Sequence, residues 1–301
     1  MCGRYAQSRN VHQLQLAFGL PEQALPEETD PRAWPPLEEL DPDYNISPGR
    51  PVYAVLGPPP QADDQGKDWA RSATVEGGGG RRVGEPGPRS LHTLRWGLVP
   101  SWAKDRNIGY RMINARSETI ADKPAFRTAF RRRRCLLPAD AYYEWQLIGR
   151  DGTVQASTSP VTDPHHRKRK AKADKKPYSI HYPDDRPLAM AGIFERWRDP
   201  EAAEDDPAAW VWSCAVVTTE AAPELAHIHE RMPVVVPPED WAAWLDPATG
   251  ADELAHLLQD TPADRFDVDE VSTDVNSIKN NRPDLLEPLS DTGGGEPETL
   301  F

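Results

Sequence analysis

Apolar positions recur along this chain in two rhythms, and the rhythms sketch its elements. Residues 9–18 (RNVHQLQLAF) set Val11, Leu14 and Phe18 on one helical face, with Ser8 as N-cap. YNISPGRPVYAVL (44–56) reads as a loop entering a strand over Pro51–Leu56. LRWGLVPSW (94–102) predicts a short aromatic strand ended by Pro100. PAFRTAFRRRR (124–134) fits a short helix: Pro124 suits its first turn, Phe126 and Phe130 share a face, and four arginines close its C-terminal end. RCLLPADAYYEWQLI (134–148) predicts two strand pieces broken at Pro138-Ala139-Asp140. PLAMAGIFERW (187–197) and WVWSCAVVTTE (210–220) have the continuous apolar character of strands buried on both faces. EDWAAWL (239–245) and ADELAHLL (251–258) return to the helical period, and RFDVDEVS (265–272) is a strand.

Strands therefore come in groups, and helices are few and short. That pattern predicts an α+β fold, with a mainly antiparallel, barrel-like pair of β-sheets. A doubly wound fold would need regular strand–helix alternation and a Gly-rich first turn, and the sequence has neither. One domain is expected over residues 1–289. It carries polar loop insertions at about 57–90 and 149–176, followed by a disordered tail at 290–301.

Composition agrees with a folded core bearing polar loops. The chain has 301 residues, 38% hydrophobic, with 32 prolines and 10 tryptophans. The net charge of −13 argues against a general nucleic-acid coat protein. Basic residues nevertheless cluster: Arg111–Arg134 holds eight Lys/Arg against two acids, and Arg167–Lys176 holds seven against one. Three cysteines make no disulfide framework and no paired metal motif. The absence of a signal-like start and of any 18-residue apolar run predicts a soluble cytoplasmic protein, away from membranes.

Candidate chemistry begins at Cys2. Removal of Met1 would leave an amine (pKa about 8) and a thiol (about 8.5) on adjacent carbons, both partly nucleophilic near neutral pH. Such a group can act as an N-terminal nucleophile, or can condense with an aldehyde and close a thiazolidine ring. A cysteine here can equally be incidental. Glu144 in AYYEWQLI shares a strand face with Tyr142 and Gln146. It is either a desolvated carboxyl with a raised pKa or a residue on a wet edge. His229 can give or take a proton near neutrality, and His227 and His229 lack the companions a metal site needs. Asn114 offers an amide to orient a substrate or cap a turn. Arg4, Arg111, Arg116 and Arg131–Arg134, with Tyr5, Trp96 and Trp102, suit phosphates and unpaired bases. For some of Arg131–Arg134, compensation of a helix C-terminus explains the charge better.

These pieces occur in a telling order: MCGRY, YNISPG (44–49), RWGLVPSW (95–102), INARSET (113–119), RCLLPADAYYEW (134–145), AGIFERW (191–197), VVTTEA (216–221) and HERMPVV (229–235), then VNSIKNNRPDLLEPL (275–289). The chain resembles the SOS response-associated peptidase, or SRAP, family, whose members shield abasic sites in single-stranded DNA. The resemblance implies loss of Met1 and a thiazolidine between Cys2 and the ring-opened abasic sugar. It implies that Asn114 positions Cys2, that Glu144 is the acid/base, and that His229 helps open the sugar. It places Arg4 and Arg116 near DNA phosphates, Pro48 and Trp96 along the DNA path, and Thr218 in the site region. It implies no cofactor and no metal, a monomer, and abasic single-stranded DNA as partner. Two alternatives stay open: a thiol peptidase acting mainly on its own Met1, and a non-covalent single-strand binder.

Overall fold

The computed structural model describes residues 2–21, 34–57, 89–149, 153–155, 174–203, 205–259, 261 and 265–289. Most of both expected insertions, and the tail, lie outside these residues.

Among the described residues, thirteen strands form two sheets. The first is built from β3 (Pro51–Leu56), β4 (Ser90–Trp96), β6 (Arg134–Ala139), β10 (Leu188–Arg198) and β11 (Trp210–Glu220). Their order β10-β6-β3-β4-β11, with β11 pairing back onto β10, closes a five-stranded barrel. The β4–β11 contact is parallel; the other four closures are antiparallel. Two short strands, β5 (Asn114–Arg116) and β12 (Arg231–Pro233), add to β11. The second sheet is open and antiparallel, in the order β13-β9-β7-β1-β2 with β8 on β7. Its members are β1 (Tyr5–Gln7), β2 (Asp43–Ile46), β7 (Ala141–Ile148), β8 (Val154–Gln155), β9 (Asp174–His181) and β13 (Asp267–Glu270). The expected barrel-like pair of sheets is present, one closed and one open.

Strand alternation divides the barrel residues between two cores. Val52, Ala54, Leu94, Trp96, Leu137 and Cys214 join Cys2, Tyr5 and Tyr142 of the open sheet. The alternate positions Tyr53, Val55, Leu91, Leu136 and Ala191 pack with the helices. Those are α1 (Val11–Ala17), α2 (Arg127–Arg132), α3 (Trp241–Leu245) and α4 (Ala251–Leu257). The face expected for α1 is the buried one: Leu14 and Phe18 are in the core, and Phe18 stacks on Trp241 at 4.6 Å. A buried amide joins the two sheets, since Gln7 Oε1 accepts from Tyr53 N (2.9 Å) and Gln7 Nε2 donates to the Pro138 carbonyl (2.7 Å).

Local chemistry moved several boundaries. The N-cap of α1 is Asn10, not Ser8, because Asn10 forms a reciprocal capping box with Gln13. Strand β4 stops at Trp96, before the expected Pro100. Gly97 there adopts φ +118°, and its carbonyl neighbourhood leaves no room for a Cβ. Pro124 precedes α2 rather than opening it, and Pro138 lies inside β6, so the break before β7 is Asp140 alone. Strand β9 starts at Asp174, inside the insertion expected at 149–176.

The Arg131–Arg134 cluster is split by the fold. Arg134 is buried and donates to the carbonyls of Trp244 (2.6 Å), Phe130 and Arg131 (both 2.7 Å), and Asp246. It thereby caps the end of α2, as helix compensation anticipates. Arg133 pairs with Glu195 at 2.6 Å. Arg131 and Arg132 remain exposed.

Candidate active site

The head of the chain enters the seam between the two sheets. Strand β1 runs between β7 and β2, with Tyr5 opposite both Tyr142 and Ile46. Tyr143 N donates to the Arg4 carbonyl at 3.0 Å. Continuing this antiparallel register brings the residues before Arg4 alongside Glu144. From the barrel side, β5 presents Asn114, whose Nδ2 donates to the Cys2 carbonyl at 2.8 Å. Asn114 Oδ1 is buried with no hydrogen-bond partner among the described residues, so it can accept from an incoming hydroxyl or N–H. Cys2 is wholly buried, and burial, helped by the Glu144 charge, pushes its thiol far above the ordinary range.

Glu144 is 4% exposed, and burial pushes its carboxyl up to about 7, against the positive charges of the chain's amino terminus and Lys175. It is thus divided between acid and base near neutral pH. Its neighbour on the same face, Gln146, is also buried and donates to the His227 carbonyl at 2.9 Å. That bond ties β7 to the turn carrying His229. His229 Nδ1 lies 2.9 Å from Arg231 N and 3.2 Å from the Arg231 carbonyl, and the shorter bond, in which Nδ1 accepts, favours the ring proton on Nε2. Burial pulls its pKa down to about 4, so the ring is neutral at pH 7. The Glu144 charge acts on the Cys2 thiol, which places these two groups in one electrostatic environment.

Arg231, which the sequence reading passed over, organises this side. Its guanidinium donates to the Thr218 carbonyl (2.7 Å) and to Glu118, while its backbone N–H fixes His229. Thr218 is buried, opposite Arg116 in the β11–β5 register.

The expected DNA-contacting residues fare differently. Arg116 is exposed on β5, next to Asn114. Pro48 is half-buried in the turn between β2 and β3. Arg4 Nη1 is committed to Asn45 Oδ1 (2.7 Å) and the Val275 carbonyl (2.8 Å), with its guanidinium over Trp145, so part of its charge anchors the C-terminal segment. Trp96 is wholly buried against Tyr5 and donates Nε1–H to the Ile113 carbonyl, so in this structure it packs behind the site. Of the three aromatic residues expected to meet bases, Trp102 is the accessible one, at 58% exposure. No cluster of potential metal ligands occurs among the described residues, and none of their helices is long and apolar enough to cross a membrane.

Comparison with known proteins gives the family from sequence and the fold from structure. The family model described as SOS response associated peptidase (SRAP) matches residues 1–278. The abasic site processing protein YoqW of Bacillus subtilis is 33% identical over 288 residues, covering 95% of this chain and 99% of that protein. The abasic site processing protein HMCES of Rattus norvegicus is 31% identical over 211 residues, covering 66% of this chain and 57% of that protein. Among solved structures, a protein from Bacteroides thetaiotaomicron superposes with a TM-score of 0.63 at 22% identity, covering 95% of this chain and 99% of that one. A phage-related protein from Bordetella bronchiseptica gives 0.54 at 26% identity, covering 90% and 94%. With its eight ordered motifs and its barrel-and-sheet fold, the chain belongs to the SOS response associated peptidase (SRAP) family.

Proposed function

We propose that this protein processes abasic sites in single-stranded DNA by covalent capture through Cys2. The observation that carries the reading is the arrangement at the sheet seam. Asn114 holds the Cys2 carbonyl at 2.8 Å, beside a buried carboxyl poised near pH 7. The relatives named for abasic site processing support the same substrate.

The chemistry closes without a cofactor. Hydrolysis of the Met1–Cys2 bond frees the α-amine of Cys2. The closed sugar opens to an aldehyde as the Glu144 carboxylate takes the anomeric hydroxyl proton and returns it to the ring oxygen, to which the Nε2–H of neutral His229 donates a hydrogen bond. The amine attacks the aldehyde carbon, and loss of one water leaves a Schiff base. The thiol then adds to the imine carbon, its proton passes to the nitrogen, and a five-membered thiazolidine forms. Glu144, near its midpoint, accepts and returns protons through these steps. Exposed Arg116 and Trp102 hold the strand by phosphate pairing and base stacking. The protein acts as a monomer, with one site per chain.

On a denaturing gel, the wild-type chain is expected to shift an oligonucleotide carrying one abasic site, and Cys2→Ala to leave it unshifted. A wild-type chain that leaves the DNA free contradicts the reading. Arg116→Ala is expected to weaken binding of intact single strands and to reduce the slope of log affinity against log salt by about 0.7. Fluorescence titration at several salt concentrations measures this; an unchanged slope removes Arg116 from the phosphate contacts.

The peptidase reading uses the same residues and ranks second. The Asn114 bond reaches the carbonyl of Cys2, which lies beyond the Met1–Cys2 bond. That favours holding Cys2 over polarising a scissile carbonyl. Peptidase activity is therefore confined here to the chain's own first bond.

A further inference from the structure

We infer that the protein has a second DNA subsite, a pocket for an unpaired base flanking the lesion, where β4 and β11 part. These strands pair only at Arg95–Ser213 and Trp96–Cys214. Before those pairs the backbone of β4 turns to another partner, with Thr93 N donating to the Pro36 carbonyl at 2.8 Å. The gap is a groove of about 420 Å³, walled by Pro36, Pro51, Pro207, Trp210 and Trp212, with Arg95 and Glu38 as its charged members. That size and lining suit a small planar ligand.

Three observations select a nucleobase. First, two of the lining residues, Arg95 and Trp210, take part in guanidinium–aromatic contacts. Arg95 lies 5.0 Å from the Tyr110 centroid, and Arg196 lies 4.4 Å from that of Trp210. Aromatic faces with arginine are the means by which proteins hold unpaired bases. Second, Arg95 Nη1 is buried with no hydrogen-bond partner among the described residues, an unused donor of the kind that purine acceptors take. Third, the groove is continuous with the proposed DNA path. Half-exposed Tyr110 lies on the Pro48–Gly49 turn, so closely that a Cβ on Gly49 would come within 2.8 Å of its ring. Gly49 takes φ +93° there, and its N–H bonds the Trp96 carbonyl at 2.7 Å. A strand passing Pro48 from the Cys2 site thus meets Tyr110, then Arg95, then Trp210. The subsite rests on the reading that single-stranded DNA runs past Pro48.

The test uses the full chain and oligonucleotides bearing tetrahydrofuran, an abasic analogue with no aldehyde, so binding stays non-covalent. The fluorescent base 2-aminopurine is placed in turn at each flanking position. One position is expected to be quenched on binding. Trp210→Ala should abolish that quench and weaken binding roughly tenfold, while Trp210→Phe keeps both. Tyr110→Ala should reduce the quench at the same position. No quenched position, or a quench that survives Trp210→Ala, overturns the subsite. Capture of a proline-rich peptide in the groove, without quenching, also overturns it and assigns the groove to a protein partner. Failure of the covalent reading would show separately, as a normal quench beside an absent crosslink to true abasic DNA.

Discussion

A Cys2→Ser chain is expected to lose the adduct that survives denaturation, yet still to be trapped on abasic DNA by borohydride. Serine keeps the α-amine, so the Schiff base still forms and reduction fixes it. What serine lacks is a nucleophile able to close a stable ring: a hydroxyl gives an oxazolidine, which reopens in water. The burial of Cys2 decides the order of events. Its thiol is pushed well above the ordinary range, chiefly by desolvation. The amine therefore attacks first, and the thiol adds to the imine while surrendering its proton. The buried serine hydroxyl can donate to the Arg4 carbonyl that the thiol faces, so the fold is expected to tolerate the exchange. Denaturing gels with and without borohydride separate the outcomes. A serine chain whose unreduced adduct is as durable as that of the wild type would remove the thiol from the account.

Glu144→Gln is expected to slow adduct formation by roughly a hundredfold to ten-thousandfold, the usual contribution of a positioned acid/base. The amide keeps the shape and burial but can neither take nor return a proton. In the wild type the rate should rise with pH as the carboxyl ionises through about 7, and the variant should lack that limb. Stability moves the other way. The folded chain holds the Glu144 proton more tightly than the unfolded one, because burial raises its pKa from about 4.5 to about 7. The stability due to this proton is complete below about pH 4.5 and is lost as pH rises through 7, a difference on the order of 3 kcal/mol. The Tm of Glu144→Gln relative to wild type should therefore climb between pH 5 and pH 8. Single-turnover rates across pH, paired with thermal melts, measure both effects. A variant that reacts at the wild-type rate would exclude Glu144 as the acid/base.

Much of this was legible in the chain. Strand β3 and strand β11 lie where the apolar runs place them, because both are buried on two faces and the whole run is hydrophobic. The face of β7 carrying Glu144 followed from period-two alternation, but whether that face is dry or wet stayed open in the sequence and is settled by the packing that buries it. Other features depend on partners far away in sequence. Trp96 sits in a motif that suggested DNA contact, but burial against Tyr5 is a long-range packing fact that no local pattern contains. The same holds for Arg134, whose charge is spent on carbonyls as distant as Trp244, and for Arg4, half of whose reach goes to Asn45 and Val275. Arg231 was overlooked because a lone arginine in a strand carries no signature. Its role appears only when Thr218, Glu118 and His229 converge on it.

The central claim is that Cys2, once freed of Met1, joins covalently to an abasic site. The intact mass of the chain, after exposure to single-stranded DNA bearing one such site, tests it most directly. The account predicts a species weighing the chain without Met1 plus the oligonucleotide, less one water, with the attachment mapped to Cys2. Recovery of chain and DNA as separate masses, or an attachment mapped to a lysine, would contradict it.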